Sequence, residues 1–240
     1  MLPSAYSYTT SSMQHLIAKT DTSSMSYIIA DDHPATIFAV RQMLAEIVGV
    51  NASNLTSCPT STDLLAICSE TPMCPRIVVL DLIMPGDLKR AALVRAVTSV
   101  DQDTHVLVYT AEESAFLARA VIEAGAMGYV AKTSPVTELI NALAAISVGH
   151  RYVDRRIDFD SIKSHPWSTL TDSERAVLLA FCRGSKASDI VAATGRSYST
   201  VMTHKYNGLH KLGLKNGSDL LPYIHMNGLL NELDADPGVP

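Results

Sequence analysis

The chain has 240 residues, 47% hydrophobic and 18% charged, with a net charge of −5. That allows one large domain or two ordinary ones and excludes a wholly disordered chain. No stretch reaches the roughly 18 apolar residues of a membrane span, and residues 1–24, rich in Ser and Thr, lack the basic start and apolar run of a secretory signal.

In chain order, residues 1–24 are expected to be a flexible extension, and Met25, where the first strand pattern begins, is an alternative start. From there to about residue 149, short β-rich runs alternate with helical patterns. The strand candidates are "SYIIA", "LTSC", "RIVVL", "HVLVY" and "GYVA". The helix candidates are 34–48, 62–69, 87–100, 112–124 and 135–148. In the first, Ile37, Val40, Leu44, Ile47 and Val48 recur at helical spacing, and Pro34 suits a first turn, where its missing N–H costs nothing. Five strand–helix repeats predict a parallel sheet with helices on both faces. The unbroken run "RIVVL" predicts a central strand buried on both sides.

The charged stretch 150–166 reads as a linker. From residue 167 to 228 the pattern is helical only. Thr171 with Glu174 three residues on forms a capping-box signature for a helix over 168–183. Further helices are expected over 186–193, 199–212 and 218–227, the first three ending at Gly184, Gly195 and Gly213. Residues 229–240 are expected to be a loose tail. Residues 25–150 hold 7 basic and 13 acidic residues, a net −6; residues 166–225 hold 7 basic and 4 acidic, a net +3. An acidic half suits metal chemistry and a basic half a polyanion. Cys58, Cys68, Cys74 and Cys182 form neither a CxxC pair nor a cluster with histidines, so they read as reduced thiols of a cytoplasmic protein.

The chemistry gathers at strand ends. The first strand ends in Asp31-Asp32, the third in Asp81, the fourth in Thr110, and Lys132 follows the fifth. In an open α/β sheet, ligands bind at the carboxyl edges of the strands. Singly, Asp31 or Asp32 reads as a helix cap, Asp81 as a turn residue, Thr110 as an N-cap with Glu113, and Lys132 as a solvated lysine. Their coincidence at four strand ends points to one site. Clustered carboxylates repel unless a cation joins them, and a hard divalent ion, most naturally Mg2+, answers that need. One carboxylate then serves as nucleophile towards a phosphoryl group, with the Thr hydroxyl and the Lys ammonium on the transferred oxygens.

The motifs "IIADDHP", "VVLDLIMPG", "VLVYTA" and "GAMGYVAK" resemble the receiver domain of two-component response regulators. The resemblance implies that Asp81 accepts a phosphoryl group from a sensor kinase's histidine. It implies Mg2+ held by Asp32, Asp81 and the backbone carbonyl of Ile83, with Asp31 acting through water. Thr110 and Lys132 would bind the phosphoryl group, and Thr110 and Tyr129 would form the switch. Two departures fall in loops. "DLKRAALV" lacks the family's usual Gly-containing turn, and the Pro that often follows the Lys is delayed to Pro135.

The stretch "LTDSERAVLLAFCRGSKASDIVAATGRSYSTVMTHKYNGLHKLGL" resembles the LuxR-type helix-turn-helix of the NarL/FixJ regulators. That resemblance makes 199–212 the recognition helix. Val201, Leu209 and Leu212 would be buried, and Tyr198, Ser199, Thr200, Met202, Thr203, His204, Lys205 and Tyr206 would face DNA, with Lys205 and Lys186 on phosphates. Met202 stands where the family often has Lys, and a plain four-helix interaction domain is the alternative.

Together the resemblances imply a flavodoxin-like, doubly wound, five-stranded parallel sheet followed by a small all-α helix-turn-helix domain. They imply a cytoplasmic transcription factor rather than an enzyme, apart from catalysing its own phosphorylation and dephosphorylation. Its expected partners are double-stranded DNA, a sensor histidine kinase and, when active, a second copy. One rival is a regulator of this fold that binds DNA independently of phosphorylation. Another is a Mg2+-dependent phosphatase, against which Ile83 stands where such enzymes keep a second carboxylate.

Overall fold

The structure, a computed structural model, describes residues 25–70, 74–100 and 103–234. The expected extension 1–24 lies outside them. Among the described residues the chain forms two compact units, the first holding those up to Glu113 and Ala118–Ile157, the second Ser114–Leu117 and those from Asp158 on.

In the first unit, β1 (Ser26–Ala30), β2 (Leu55–Cys58), β3 (Arg76–Leu80), β4 (Thr104–Thr110) and β5 (Gly128–Ala131) fall on the five expected runs. They alternate with α1 (Pro34–Met43), α2 (Ser61–Ser69), α3 (Arg90–Thr98), α4 (Ala115–Glu123) and α5 (Val136–Ser147). Helix α1 runs on through a wider turn at Leu44–Val48 that ends at Gly49. The sheet is parallel throughout, in the order β2-β1-β3-β4-β5-β6. The chain reverses its winding between β1 and β3, the crevice where α/β sheets bind ligands. All five residues of β3 are buried, as a strand covered on both faces requires. Its Arg76 is buried too, and Nη1 and Nη2 donate to the carbonyls of Ile67 and Glu70 at the end of α2.

Three expectations for residues 25–166 need correction. The sheet has six strands rather than five, because Tyr152–Val153 pairs with β5 as β6. Two residues amid charges carry no alternation that a sequence could display. The expected linker is therefore ordered, holding β6, the buried Asp154 and a helix α6 (Asp160–Ser164). Helices α3 and α4 start three residues later than their patterns suggest, because residues 87–89 and 112–114 are drawn into loops at the carboxyl edge. Arg90 opens α3 with φ +49, the positive-φ residue other than Gly among the described residues.

The second unit is helical: α6, α7 (Asp172–Cys182), α8 (Ala187–Thr194), α9 (Tyr198–Lys211), α10 (Leu220–Met226) and α11 (Leu230–Asp234). Residues 168–169 and 218–219, expected to open helices, lie instead in separate 3-10 turns, Pro166–Thr169 and Gly217–Asp219. Trp167, Leu178, Leu212, Leu220, Ile224 and Leu229 belong to its core. The tail is anchored further than expected: α11 follows the buried Leu229, and Arg183 donates to the carbonyls of Glu232 and Leu233. Residues 235–240 lie outside the described residues.

The capping box at α7 is present. Thr171 Oγ1 accepts from Glu174 N at 3.2 Å, and Glu174 Oε2 accepts from Thr171 N at 2.8 Å. The same carboxylate oxygen receives Lys211 Nζ at 2.7 Å, tying α9 to α7. Burial alone would raise the Glu174 pKa, but Lys211 and Thr171 outweigh it and hold the carboxyl below its ordinary value of 4.5. A depressed folded pKa gives stability that is fully present above about 4.5 and lost as pH falls through the folded value. Glu174→Gln should therefore lower the melting temperature of this unit at pH 7 by about 4–8 °C, for roughly 1 kcal/mol lost. It should also flatten the acid dependence of unfolding, and thermal scans from pH 7 to 3 check both.

Candidate phosphoacceptor site and DNA-facing helix

The ladder places the carboxyl ends of β1, β3, β4 and β5 side by side. Asp31 N–H donates to Cys58 O at 3.1 Å and Asp81 N–H to Ala30 O at 2.8 Å, so both acids leave the sheet in register. Their side chains are nearly buried, 3% and 5% exposed, and Lys132 Nζ stands 2.7 Å from Oδ2 of each. The burial of Lys132 lowers its pKa, but the hydrogen bonds and charges of Asp31 and Asp81 more than offset that and raise it above an ordinary lysine. Ile83 N–H approaches Asp81 Oδ1 at 3.4 Å, while the Ile83 side chain is exposed.

Asp32 completes the acidic set. Its Oδ1 is a buried atom without a hydrogen-bond donor, although His33 Nδ1 lies 2.8 Å away. His33, to which the sequence assigned no role, closes a turn by donating its N–H to Asp31 Oδ1 at 2.9 Å. One donor atom each from Asp31, Asp32, His33 and Asp81 lies within 4.8 Å of the others.

Thr110 ends β4 fully buried and accepts Lys132 N–H on its carbonyl at 2.7 Å. Tyr129 is buried on β5 and donates its hydroxyl to Glu112 O at 2.5 Å. Burial, and after it the charge of Glu112, pushes the Tyr129 pKa far up, so the hydroxyl stays a donor. Glu112 also ion-pairs with Arg90 at 3.2 Å. The loop after β4, which bears on Thr110 and Tyr129, is thus tied to the start of α3. Neither Glu112 nor Arg90 was singled out in the sequence. Gly86, in the loop after Asp81, sits at φ +126 against α2, where a Cβ would meet Ser61 Oγ at 2.0 Å. Only glycine fits there.

On the second unit, α9 opens with Ser197 as N-cap, its Oγ accepting Thr200 N–H at 3.1 Å. Val201, Leu209 and Leu212 are buried, as the spacing implied. Tyr198 and Tyr206 are 62% and 69% exposed, Ser199, Thr200 and Thr203 are also exposed, and Met202 and His204 are half-buried. Lys186, beside α8, is exposed. Lys205 is not fully free, since its ammonium rests 3.9 Å from the Phe181 ring centroid.

With this geometry in place, comparison with known proteins is informative. The response regulator receiver domain family matches residues 27–144. The transcriptional regulatory protein RcsB of Escherichia coli K12 is 28% identical over 207 residues, covering 83% of this chain and 94% of that protein. A structure of RcsB from Salmonella enterica serovar Typhimurium, bound to a promoter with the phosphomimetic BeF3−, superposes with TM-score 0.60 at 26% identity. It covers 84% of this chain and 98% of that one. A structure of two RcsB dimers on two parallel DNAs gives TM-score 0.61 at 28% identity over the same shares. Residues 27–144 are thus a response regulator receiver domain, and over most of its length the chain is homologous to RcsB, a response regulator of the NarL/FixJ type.

Proposed function

We propose that this chain is a transcription regulator whose DNA binding is set by phosphorylation of Asp81, with a domain order of receiver (25–149) and helix-turn-helix (167–228). The observation that carries the reading is the Lys132 ammonium bridging Asp31 and Asp81 where four neighbouring strand ends meet. Asp81 is the acceptor. One of its carboxylate oxygens attacks phosphorus, the phosphorus–nitrogen bond of a kinase phosphohistidine breaks, and the electron pair leaves with the imidazole. Lys132 and the Thr110 hydroxyl then bind oxygens of the transferred group. Tyr129 and Thr110 report the change, since Tyr129 is tethered to the loop that follows Thr110.

The residues fit Mg2+. The donors are hard carboxylate oxygens, and Asp32 Oδ1 is buried without a hydrogen-bond donor. Asp32, Asp81 and the Ile83 carbonyl would hold the ion, with Asp31 reached through water. When bound, it neutralises charge that builds on the phosphoryl oxygens. Lys132 already holds Oδ2 of both Asp31 and Asp81, two carboxylates of this set, so its ammonium would compete with the cation while serving the phosphoryl group. Lys132→Ala should slow label uptake from a small phosphodonor roughly a hundredfold and tighten Mg2+ binding measured by calorimetry. An unchanged rate would remove Lys132 from the site.

The recognition surface is the amino-terminal half of α9. Tyr198, Ser199, Thr200 and Thr203 offer hydroxyls, Met202 an apolar contact, and His204 and Tyr206 flanking contacts. Lys186 serves a phosphate. Lys205 must leave Phe181 to do so, or else help position the helix. A unit of net charge +3 binds DNA weakly alone, so two copies on paired half-sites are the active form, as in the RcsB dimers. The test measures retention of genomic DNA fragments with and without acetyl phosphate and Mg2+. Binding should tighten at least about tenfold with the donor. Affinity indifferent both to the donor and to Asp81→Ala would favour phosphorylation-independent control.

A further inference from the structure

We infer that Asp154, ten residues beyond the matched receiver segment, is a positioning residue for Lys132 and so belongs to the phosphoacceptor machinery. This rests on the reading of Asp81 as acceptor. Strand β5 lies between β4 and β6, and on the β6 side every second carbonyl is taken: Met127 O, just before β5, accepts from Tyr152 N at 3.0 Å and Tyr129 O from Asp154 N at 2.8 Å. Next on that side is Ala131 N–H, but β6 has ended. The Asp154 side chain takes the place of the missing strand, accepting Ala131 N–H on Oδ2 at 3.2 Å.

The same Oδ2 accepts the Ser134 hydroxyl in a short hydrogen bond. Ser134 N–H also closes a turn on Ala131 O at 3.0 Å. One carboxylate oxygen therefore fixes the residues on both sides of Lys132-Thr133. The other, Oδ1, accepts Arg156 N–H at 3.0 Å, and Arg156 Nη1 reaches back to donate to Thr133 Oγ1 at 3.0 Å. Thr133 in turn donates to Glu113 in the loop after Thr110. Asp154 is 1% exposed. A carboxylate so buried has to be satisfied, and here three donors converge on it. Its removal would leave Ala131 N–H without an acceptor and free the turn that aims Lys132, whose chemistry needs placement within a fraction of an ångström.

The full-length chain, Asp154→Ala, Asp154→Asn and Ser134→Ala would be compared in label uptake from acetyl phosphate, Mg2+ affinity by calorimetry and amide exchange at Ala131 and Lys132. Asp81→Asn is run in parallel. Asp154→Ala should take up label about tenfold more slowly with Mg2+ affinity within twofold of the parent, since Asp31, Asp32 and Asp81 hang on other strands. Exchange at Ala131 should accelerate. Asp154→Asn keeps one carbonyl oxygen for Ala131 and Ser134 and should recover most of the rate. Ser134→Ala, which leaves the core untouched, should lose two- to threefold and keeps the test decisive if Asp154→Ala does not fold. Parental uptake in Asp154→Ala and Ser134→Ala would overturn the inference. So would a parallel fall of uptake and Mg2+ affinity, which marks general loosening. Label retained by Asp81→Asn, or none in the parent, would instead overturn the acceptor reading.

Discussion

Asp81→Asn is expected to abolish uptake of label from acetyl phosphate in Mg2+, while the chain keeps its fold. An amide is isosteric with the carboxylate but a far weaker nucleophile, because its nitrogen lone pair is delocalised and its oxygen carries no full charge. The nearest replacements are poorly placed. Asp31 is 3% exposed and its Oδ2 is engaged by the same Lys132. Asp32 is 32% exposed on its side chain and lies one residue beyond the sheet register. The cost to stability should be small. The substitution removes one partner of Lys132, but it also relieves repulsion between Asp81 and Asp31, whose Oδ2 atoms share one ammonium. These terms oppose each other, so the melting temperature without metal should change by only a few degrees. The larger effect appears with Mg2+. A ligand at one hundred times its Kd stabilises by about 2.7 kcal/mol, and the variant, lacking a ligand, should lose most of that increment. Label on Asp81→Asn, mapped to Asp31 or Asp32, would reassign the acceptor.

What was legible in the sequence was what polar residues do at the ends of apolar runs. Asp31, Asp81, Thr110 and Lys132 each interrupt a strand pattern, and the sheet order brings those interruptions together. What stayed hidden depends on backbone atoms or distant side chains. Tyr129 is held by the carbonyl of Glu112, and a carbonyl has no residue signature. Asp154 acts on Ala131 N–H from just beyond a strand of two residues, too short for any period to show. Lys205 looked like a phosphate contact because it follows His204 on the recognition helix. Its neighbour Phe181 stands 24 residues earlier, on α7, and their meeting follows from helix packing alone.

Gly208→Val should unfold or nearly unfold the second unit while sparing phosphorylation at Asp81. Gly208 lies inside α9, where glycine costs about 1 kcal/mol relative to alanine, so its presence needs a reason in packing. A Cβ there would lie 2.8 Å from Leu178 Cδ1, 3.1 Å from Leu178 Cγ and 3.6 Å from Glu174 Cβ. Helices α7 and α9 therefore cross at a contact that admits a side chain on α9 only if Leu178 gives way. Leu178 is fully buried and cannot swing into solvent, and Glu174 is fixed by its bonds to Thr171 and Lys211. Alanine would set the propensity gain of about 1 kcal/mol against a shift of one leucine terminus, and should come out close to neutral. Valine adds two methyl groups at the same point and forgoes part of the propensity gain. Overpacking of this kind costs about 1–3 kcal/mol, a large share of the stability of a unit this small. Circular dichroism should show a second transition that falls by 10 °C or more, or disappears, in Gly208→Val. DNA retention should vanish with it, and label uptake at Asp81 should stay at the parental rate, because that site is built entirely from the first unit. A valine variant with parental melting would mean that α7 and α9 can separate at low cost, and the close crossing would lose its role in holding the recognition helix.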